Sequence, residues 1–180
     1  DMDEAVKRIK RAIDNGEKIL VFGDYDVDGV TATTILYEFL QYAGASVSYH
    51  IPHRTREGYG LHKEHIEAWA TPNNVDLIIT VDCGSKSHNA VRMAKALGTD
   101  VIVTDHHPPG GEGLPDALAV VNPKRGDCDA GFENLAGVGV AFCLLICLRK
   151  HLREHNFWGS RPEPNLKRLC GLVALGTVAD

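Results

Sequence analysis

The sequence predicts an α/β protein: a mainly parallel five-stranded sheet with helices on both faces, followed by a helical C-terminal segment. Two observations support this prediction. Five short segments of strand length, four of them apolar runs, alternate with segments that repeat apolar residues at helical spacing. Those four runs are almost continuously apolar and lack the polar alternation of a strand that faces water on one side. Both features are typical of a parallel sheet covered by helices on its two faces.

The first half of the chain shows clear start and stop signals. Val6, Ile9 and Ile13 recur at helical spacing and Gly16 ends that segment, which predicts a first helix. Gly44 closes the second helix and Pro52 ends the second strand. The elements predicted here are helix 2–15, strand 18–22, helix 31–42, strand 46–51 and helix 62–70.

The second half repeats the alternation and then becomes helical. A polar connector with Gly159, Pro162 and Pro164 separates the last two helical segments. There is no internal repeat and no low-complexity segment. The elements predicted here are strand 77–81, helix 90–97, strand 101–104, strand 118–121 and the mainly helical segments 138–155 and 166–178.

The composition is that of a globular protein. Its 180 residues are 44% hydrophobic and 24% charged. No apolar run approaches the roughly 18 residues of a membrane span, so we expect no membrane partner. The five cysteines are odd in number and lack CxxC spacing, which favours reduced thiols and a cytoplasmic location. The net charge of −5 does not exclude a nucleic-acid substrate, because a bound metal would neutralise clustered acids.

Three of the predicted strands end in an acidic residue: Asp24, Asp82 and Asp105. In open α/β sheets, ligands bind outside the carboxyl ends of the strands. Because parallel strands present those ends at the same edge, we expect the three carboxylates to lie together. The sequence therefore predicts a functional site at this edge.

The strongest single signal is the segment 23–29, in which Asp24, Asp26 and Asp28 alternate between two glycines. Three carboxylates at this spacing offer hard oxygen ligands of the kind that suit Mg²⁺ or Mn²⁺. The opening also matches an EF-hand calcium loop. Against that reading, the twelfth position would be Ile35, which has no carboxylate, and a strand precedes the segment. A solvated acidic turn is the other alternative.

The remaining two strand ends add further ligands. Asp82 alone would be read as a helix N-cap, but beside the 24–28 segment we interpret it as a bridging metal ligand. Asp105 is followed by His106 and His107, adjacent histidines that point in different directions. We expect one to bind metal and the other to face the substrate, with Asp105 orienting a ligand by a hydrogen bond.

Two further segments could contact phosphate. Gly137 and Gly139 precede a helix, whose N-terminus could bind a phosphate, although close packing is the alternative and the third glycine of a dinucleotide motif is absent. Arg54 could bind phosphate and Tyr59 could stack on a base. A solvated loop explains that second segment equally well.

Four segments of the chain resemble the motifs of the DHH phosphoesterase superfamily, which is named for the triplet Asp105-His106-His107. They occur in the family's order at residues 24–28, 80–82, 105–107 and 176–180. Residues 23–26, 51–54, 57–61 and 135–142 are most similar to the single-strand-specific DNA exonucleases of that superfamily. The likeness covers essentially the whole chain.

This resemblance implies a two-ion site for Mn²⁺ or Mg²⁺, with Asp82 bridging the ions. The other implied ligands are Asp26, Asp28, His106 and Asp180, and Asp24 stands where several relatives place a ligating histidine. His107 would face the scissile phosphate. The resemblance also implies that residues 1–180 are one DHH domain of a longer protein, whose DHHA1 and OB-type domains are absent here.

The activity implied is 5′→3′ exonuclease cleavage of single-stranded DNA in repair and recombination, by two-metal hydrolysis. Asp82, Asp105 and His107 would be the catalytic residues. In the full-length context, a helicase or a single-strand-binding protein is an expected partner. Two alternatives stay open: a phosphodiesterase for short oligonucleotides or cyclic dinucleotides, and a non-catalytic replication scaffold of the same fold.

Overall fold

Five short segments pair side by side in a computed structural model that describes all residues, 1–180. The strands are β1 Lys18–Gly23, β2 Ser46–His50, β3 Leu77–Val81, β4 Asp100–Thr104 and β5 Ala119–Val121. Their order is β2-β1-β3-β4-β5, and every neighbouring pair is parallel. The predicted α/β class with a parallel five-stranded sheet is confirmed.

The helices cover both faces of this sheet. They are α1 Met2–Asn15, α2 Val27–Ala43, α3 Lys63–His65, α4 Thr71–Asn73, α5 His88–Ala96, α6 Gly137–Glu154 and α7 Cys170–Ala179. Successive residues of β3 point to opposite sides: Leu77 and Ile79 join the core under α1, α2 and α6, whereas Ile78 joins the core under α5. Burial on both faces explains why β1, β3 and β4 are almost continuously apolar, whereas the edge strand β2 is largely exposed and contains polar residues.

The start of α2 differs from the prediction. The helix begins at Val27, four residues before the predicted 31, because the Asp26 side chain accepts a hydrogen bond from the backbone N–H of Gly29, 2.9 Å away, and acts as its N-cap. Asp28 therefore lies in the first helical turn, not in a loop.

The two segments around residues 62–73 and 166–179 are less regular than predicted. Between α3 and α4 the chain forms a π-helical turn, Ile66–Ala70, and α7 is preceded by a 3₁₀ turn, Leu166–Leu169. No helix combines the length and apolar composition that crossing a membrane would require. All five cysteines are free thiols.

Candidate metal centre

Three neighbouring strands deliver aspartates to one edge of the sheet. The register aligns the last residues of β1, β3 and β4, so the residue that follows each strand leaves the sheet at the same level. Those residues are Asp24, Asp82 and Asp105. β1 is also the switch point of the sheet, because β2 and β3 flank it on opposite sides. Ligands of open α/β sheets bind at such a point.

The six side chains predicted as metal ligands converge here in two groups. Oxygens of Asp24, Asp26 and Asp82 lie within 4.8 Å of one another, and ligand atoms of Asp28, His106 and Asp180 do the same. The groups meet at Asp82, whose Oδ1 lies 3.1 Å from Nε2 of His106. That nitrogen is also 3.8 Å from Asp28 and 3.7 Å from Asp180. The geometry is that of two adjoining cation sites with Asp82 between them.

Several of these ligand atoms are buried without a hydrogen-bond partner. They are Oδ1 of Asp24, Oδ1 of Asp82 and Nε2 of His106, since the 3.1 Å contact between the last two is not aligned as a hydrogen bond. Buried polar atoms are normally satisfied, and leaving them unpaired is costly. Carboxylate oxygens with a tolerated imidazole form a donor set that a divalent ion such as Mn²⁺ would satisfy. The residues present therefore fit a divalent metal.

The electrostatics of the site also favour a cation. Burial, together with the charges of Asp28 and Asp26, raises the pKa of Asp82 to about 7. Close contact with Asp82 raises the pKa of His106, and burial raises the pKa of Asp24. Several carboxylates are thus kept close together in a poorly solvated place, where a divalent cation would stabilise their charged forms.

The backbone at Asp82 is unusual. Its φ angle is +60°, in the left-handed region that few residues other than glycine adopt, although Asp and Asn tolerate it best. The next helix, α5, begins only at His88, with Ser87 at its N-cap position. Asp82 is therefore not the N-cap of a helix, which was the alternative to a metal ligand for this residue. Backbone outliers of this kind cluster at functional sites.

Asp105 lies behind the ligand groups and holds the adjacent histidine. Its carboxylate accepts hydrogen bonds from the backbone N–H groups of Ser85, His106 and His107, and Oδ1 lies 2.8 Å from Nδ1 of His107. Burial opposes ionisation, but these hydrogen bonds prevail and lower the pKa of Asp105. The same contact raises the pKa of His107. Asp105 thus sets the ring orientation of His107 and leaves its Nε2 available.

Tyr59 joins this network through its hydroxyl group. Its Oη is 2.9 Å from Nδ1 of His107 and 3.2 Å from the backbone carbonyl oxygen of Asp82, to which it donates. The ring is 40% exposed and meets the His107 ring edge to face at 5.5 Å. The predicted base-stacking role of Tyr59 stays a prediction. The hydroxyl contacts were not foreseen, since 23 residues separate Tyr59 from Asp82.

Arg54 is exposed, and its guanidinium lies over the Tyr25 ring, 5.4 Å from the ring centre. Its positive charge acts on Asp24, one of the predicted ligands. Arg54 therefore lies beside the candidate metal centre, where a phosphate group could reach it.

The structure places an acidic side chain at the N-terminus of α6, where Gly137 and Gly139 were predicted to bind phosphate. The backbone N–H groups of Gly137 and Val138 both donate to the carboxylate of Asp28, so the N-terminus of α6 is already occupied by an acidic side chain. Gly139 is buried against Leu135. The alternative of close packing holds at both glycines, and Asp28 ties α2 to α6 at the site.

Replacing Gly137 with alanine is expected to destabilise this junction. A Cβ atom at Gly137 would lie 2.5 Å from Oδ1 of Asp82, so Asp82 or α6 must move. We expect a loss of about 1–3 kcal/mol in the free energy of unfolding, measured by urea denaturation. Gly171→Ala is the matched control, because a Cβ there meets no atom within 4 Å and alanine favours helix. Equal stability of the two variants would contradict the close approach of α6 to Asp82.

Asp180 reaches the site because α7 packs tightly on α2. A Cβ atom on Gly176 would lie 2.4 Å from Oγ1 of Thr31, so only glycine permits this approach of the two helices. The Asp180 side chain is 40% exposed, and its N–H donates to the carbonyl oxygen of Gly176. The glycine of the 176–180 segment thus positions its terminal carboxylate.

Sequence reasoning missed two buried polar residues of the site, Ser85 and Asn122. Asn122 follows β5, and its Nδ2 donates to the backbone carbonyl of His107 and to Oγ of Ser85, both at 2.8 Å. It therefore supports the loop that carries the histidines. The sequence could have indicated Asn122, because it is the polar residue that follows a fourth parallel strand at the same edge.

Comparison with known proteins gives a consistent result. The family model described as "DHH family, N-terminal domain" matches residues 18–177. The chain is 46% identical to the single-stranded-DNA-specific exonuclease RecJ of Salmonella typhimurium and 45% identical to that of Bacillus subtilis, over 99% of its own length. It covers 31% and 21% of those two relatives, so it spans about a third or less of their length.

Solved structures agree with the sequence matches. A crystal structure of exonuclease RecJ bound to manganese superposes with a TM-score of 0.84 at 40% identity, over 99% of this chain and 43% of that one. RecJ of Thermus thermophilus in complex with Mn²⁺ gives a TM-score of 0.78 at 36% identity, over 99% of this chain and 24% of that one. By its motifs, its fold and the match over residues 18–177, the chain belongs to the DHH family.

Proposed function

We propose that this chain is the catalytic DHH domain of a metal-dependent exonuclease that hydrolyses single-stranded DNA in the 5′→3′ direction. The observation that carries the proposal is the position of Asp82, which is buried between two groups of potential metal ligands. Relatives at 45–46% identity are named as single-stranded-DNA-specific exonucleases, which supports the substrate class. The polarity follows from the family resemblance.

The cofactor proposed is a pair of Mn²⁺ or Mg²⁺ ions. Asp24, Asp26 and Asp82 would hold one ion, and Asp28, His106 and Asp180 the other, with Asp82 shared. RecJ structures with Mn²⁺ and with Mg²⁺ support this choice. When bound, such ions supply a hydroxide near neutral pH and neutralise charge on the phosphoryl oxygens.

The protein's own groups would then position the substrate. Nδ1–H of His107 donates to Asp105, which raises the pKa of the ring, and in the protonated ring Nε2–H can donate a hydrogen bond to a phosphoryl oxygen as negative charge develops there. Arg54, exposed beside Asp24, can bind a neighbouring phosphate through two N–H groups. The hydroxyl of Tyr59 holds the loop of Arg54 against His107. Asp82, Asp105 and His107 are the residues to which we assign catalysis.

A comparison of substrates tests the proposed activity. We expect the full protein, supplied with Mn²⁺, to degrade a long DNA with a 5′ single-stranded tail faster than a dinucleotide or a cyclic dinucleotide. Labels at the 5′ and 3′ ends would report the direction of digestion. Preference for the dinucleotide would support the alternative phosphodiesterase, and no hydrolysis of either would support the scaffold.

The wider context belongs to the same proposal. Residues 1–180 would form one DHH domain, with DHHA1 and OB-type domains elsewhere in the protein completing the DNA-binding groove. A helicase or a single-strand-binding protein would supply the substrate. A cytoplasmic location fits a DNA substrate in a bacterial type of enzyme, and the five free thiols are compatible with it.

A further inference from the structure

We propose that His50, Glu57 and His65 form a third metal site, separate from the candidate metal centre and suited to Zn²⁺. One potential ligand atom from each of these residues lies within 4.8 Å of the other two. We call these residues the His-Glu-His cluster. None of them belongs to the four DHH motifs, and the inference does not depend on the exonuclease proposal.

The cluster joins three separate segments of the chain. His50 is the last residue of β2, Glu57 lies in the loop that follows, and His65 is the last residue of α3, directly before the π-helical turn. Nε2 of His50 is 3.4 Å from Oε2 of Glu57, yet it is buried and makes no hydrogen bond. A buried ring nitrogen without a partner calls for an explanation, and a bound ion supplies one.

The protonation states of the cluster suit a metal. Burial lowers the pKa of His50 and of His65, so both imidazoles are neutral and can offer a lone pair. The backbone N–H of His53 donates to Oε2 of Glu57 and lowers the pKa of its carboxyl group. That hydrogen bond also orients the carboxylate, as outer-shell donors do in known metal sites.

The ligand chemistry selects the ion. Two imidazoles and one carboxylate are a ligand set of zinc enzymes, which leaves the fourth position to water. Mg²⁺ and Mn²⁺ prefer sites dominated by oxygen, such as the candidate metal centre. The charge of Glu57 offsets half of that of a divalent ion. A zinc-type ion is therefore the best match to this cluster.

Two aromatic rings flank the histidines of the cluster. The centre of the Phe22 ring lies 4.8 Å from that of His65 and 5.6 Å from that of His50, and the Trp69 ring lies 4.4 Å from that of His50. An apolar shell strengthens the attraction between an ion and its ligands, because it lowers the local dielectric constant. The rings also restrict the rotamers of the histidines.

Binding has one identifiable cost. Nδ1 of His65 accepts a hydrogen bond from the backbone N–H of His62 at 3.0 Å. A neutral imidazole that coordinates through Nε2 carries its proton on Nδ1, so this hydrogen bond must be given up and part of the binding energy is lost. We therefore expect affinity below that of a fully preorganised structural zinc site.

Zinc uptake by the metal-free full protein tests the proposal. Every sample carries the Asp82→Asn substitution, so that the candidate metal centre contributes less to the count of bound zinc ions. Zn²⁺ is titrated against a coloured chelator to count bound ions, and Co²⁺ is added separately to record the visible absorption of a four-coordinate site. We expect Glu57→Gln and His50→Gln each to bind one Zn²⁺ fewer per chain and to lose the Co²⁺ absorption.

His62→Gln is the matched control, because His62 is exposed in the same segment and lies outside the cluster. We expect it to bind zinc like the background protein. Circular dichroism checks folding, and Glu57→Gln, which keeps the shape of the side chain, decides the question if His50→Gln does not fold. Equal zinc uptake in all variants, or equal loss in His62→Gln, would overturn the assignment. Exonuclease activity does not enter either outcome.

Discussion

Asp82→Asn is expected to lower the rate of Mn²⁺-dependent DNA hydrolysis by at least about a thousandfold. Asp82 belongs to the first ligand group and lies 3.1 Å from His106 of the second, so its loss removes a negative charge from the place where the two groups meet. The Asp82 carboxylate is also buried, so after the substitution no other negatively charged ligand can reach its place from solvent. Initial rates on 5′-labelled single-stranded DNA measure the effect.

The fold should survive this substitution. Asparagine has the same shape and, like aspartate, tolerates the positive φ of +60° found at this position. It also removes one member of a crowded group of carboxylates, whose burial and mutual repulsion raise the pKa of Asp82 to about 7. We expect the melting temperature without metal to be maintained, and the increase on adding Mn²⁺ to be reduced.

Asp116→Asn is the matched control for this experiment. Asp116 is exposed on the surface, where it pairs with Lys95, and it makes no contact with the ligand groups. The control variant should retain both hydrolysis and stabilisation by Mn²⁺. Full activity of Asp82→Asn would refute the two-metal site.

The sheet and the edge that carries the site were predictable because both follow from short-range patterns. Continuous apolar runs identify strands buried on two faces, and parallel strands must place Asp24, Asp82 and Asp105 at one edge. The start of α2 was missed by four residues, since the acids of the 24–28 segment were read only as ligands. Asp26 is in fact also the N-cap of the helix.

Contacts between distant segments could not be read from the sequence. The glycine at position 137 was noticed, but its partner, the carboxylate of Asp28, lies 109 residues away in the chain. A free helix N-terminus and one already occupied by a side chain look the same in sequence. The hydroxyl of Tyr59 and the His-Glu-His cluster depend in the same way on how the 51–65 segment folds back over the sheet.

His107→Ala is expected to lower kcat by about 10²–10³-fold while leaving stabilisation by Mn²⁺ unchanged. Nδ1 of His107 is engaged by Asp105 and lies beside the hydroxyl of Tyr59, which leaves Nε2 as the nitrogen that can reach a phosphoryl oxygen. The substitution removes that donor. Asp105 keeps its backbone hydrogen bonds from Ser85 and His106, so the loop should hold its shape.

The metal dependence of this variant separates two roles for His107, because a ligand atom of this residue also lies within 4.8 Å of those of Asp82 and His106. If His107 acts on the substrate, the rise in melting temperature with Mn²⁺ stays as in the unchanged protein, whereas His106→Ala reduces it. If His107 is a ligand, both variants lose the rise. His155→Ala, an exposed histidine near the end of the chain's longest helix, should behave like the unchanged protein in both measurements. We expect His107→Ala to keep the rise in melting temperature. Nδ1 of His107 is engaged by Asp105, and His106 already serves as the imidazole ligand of the site.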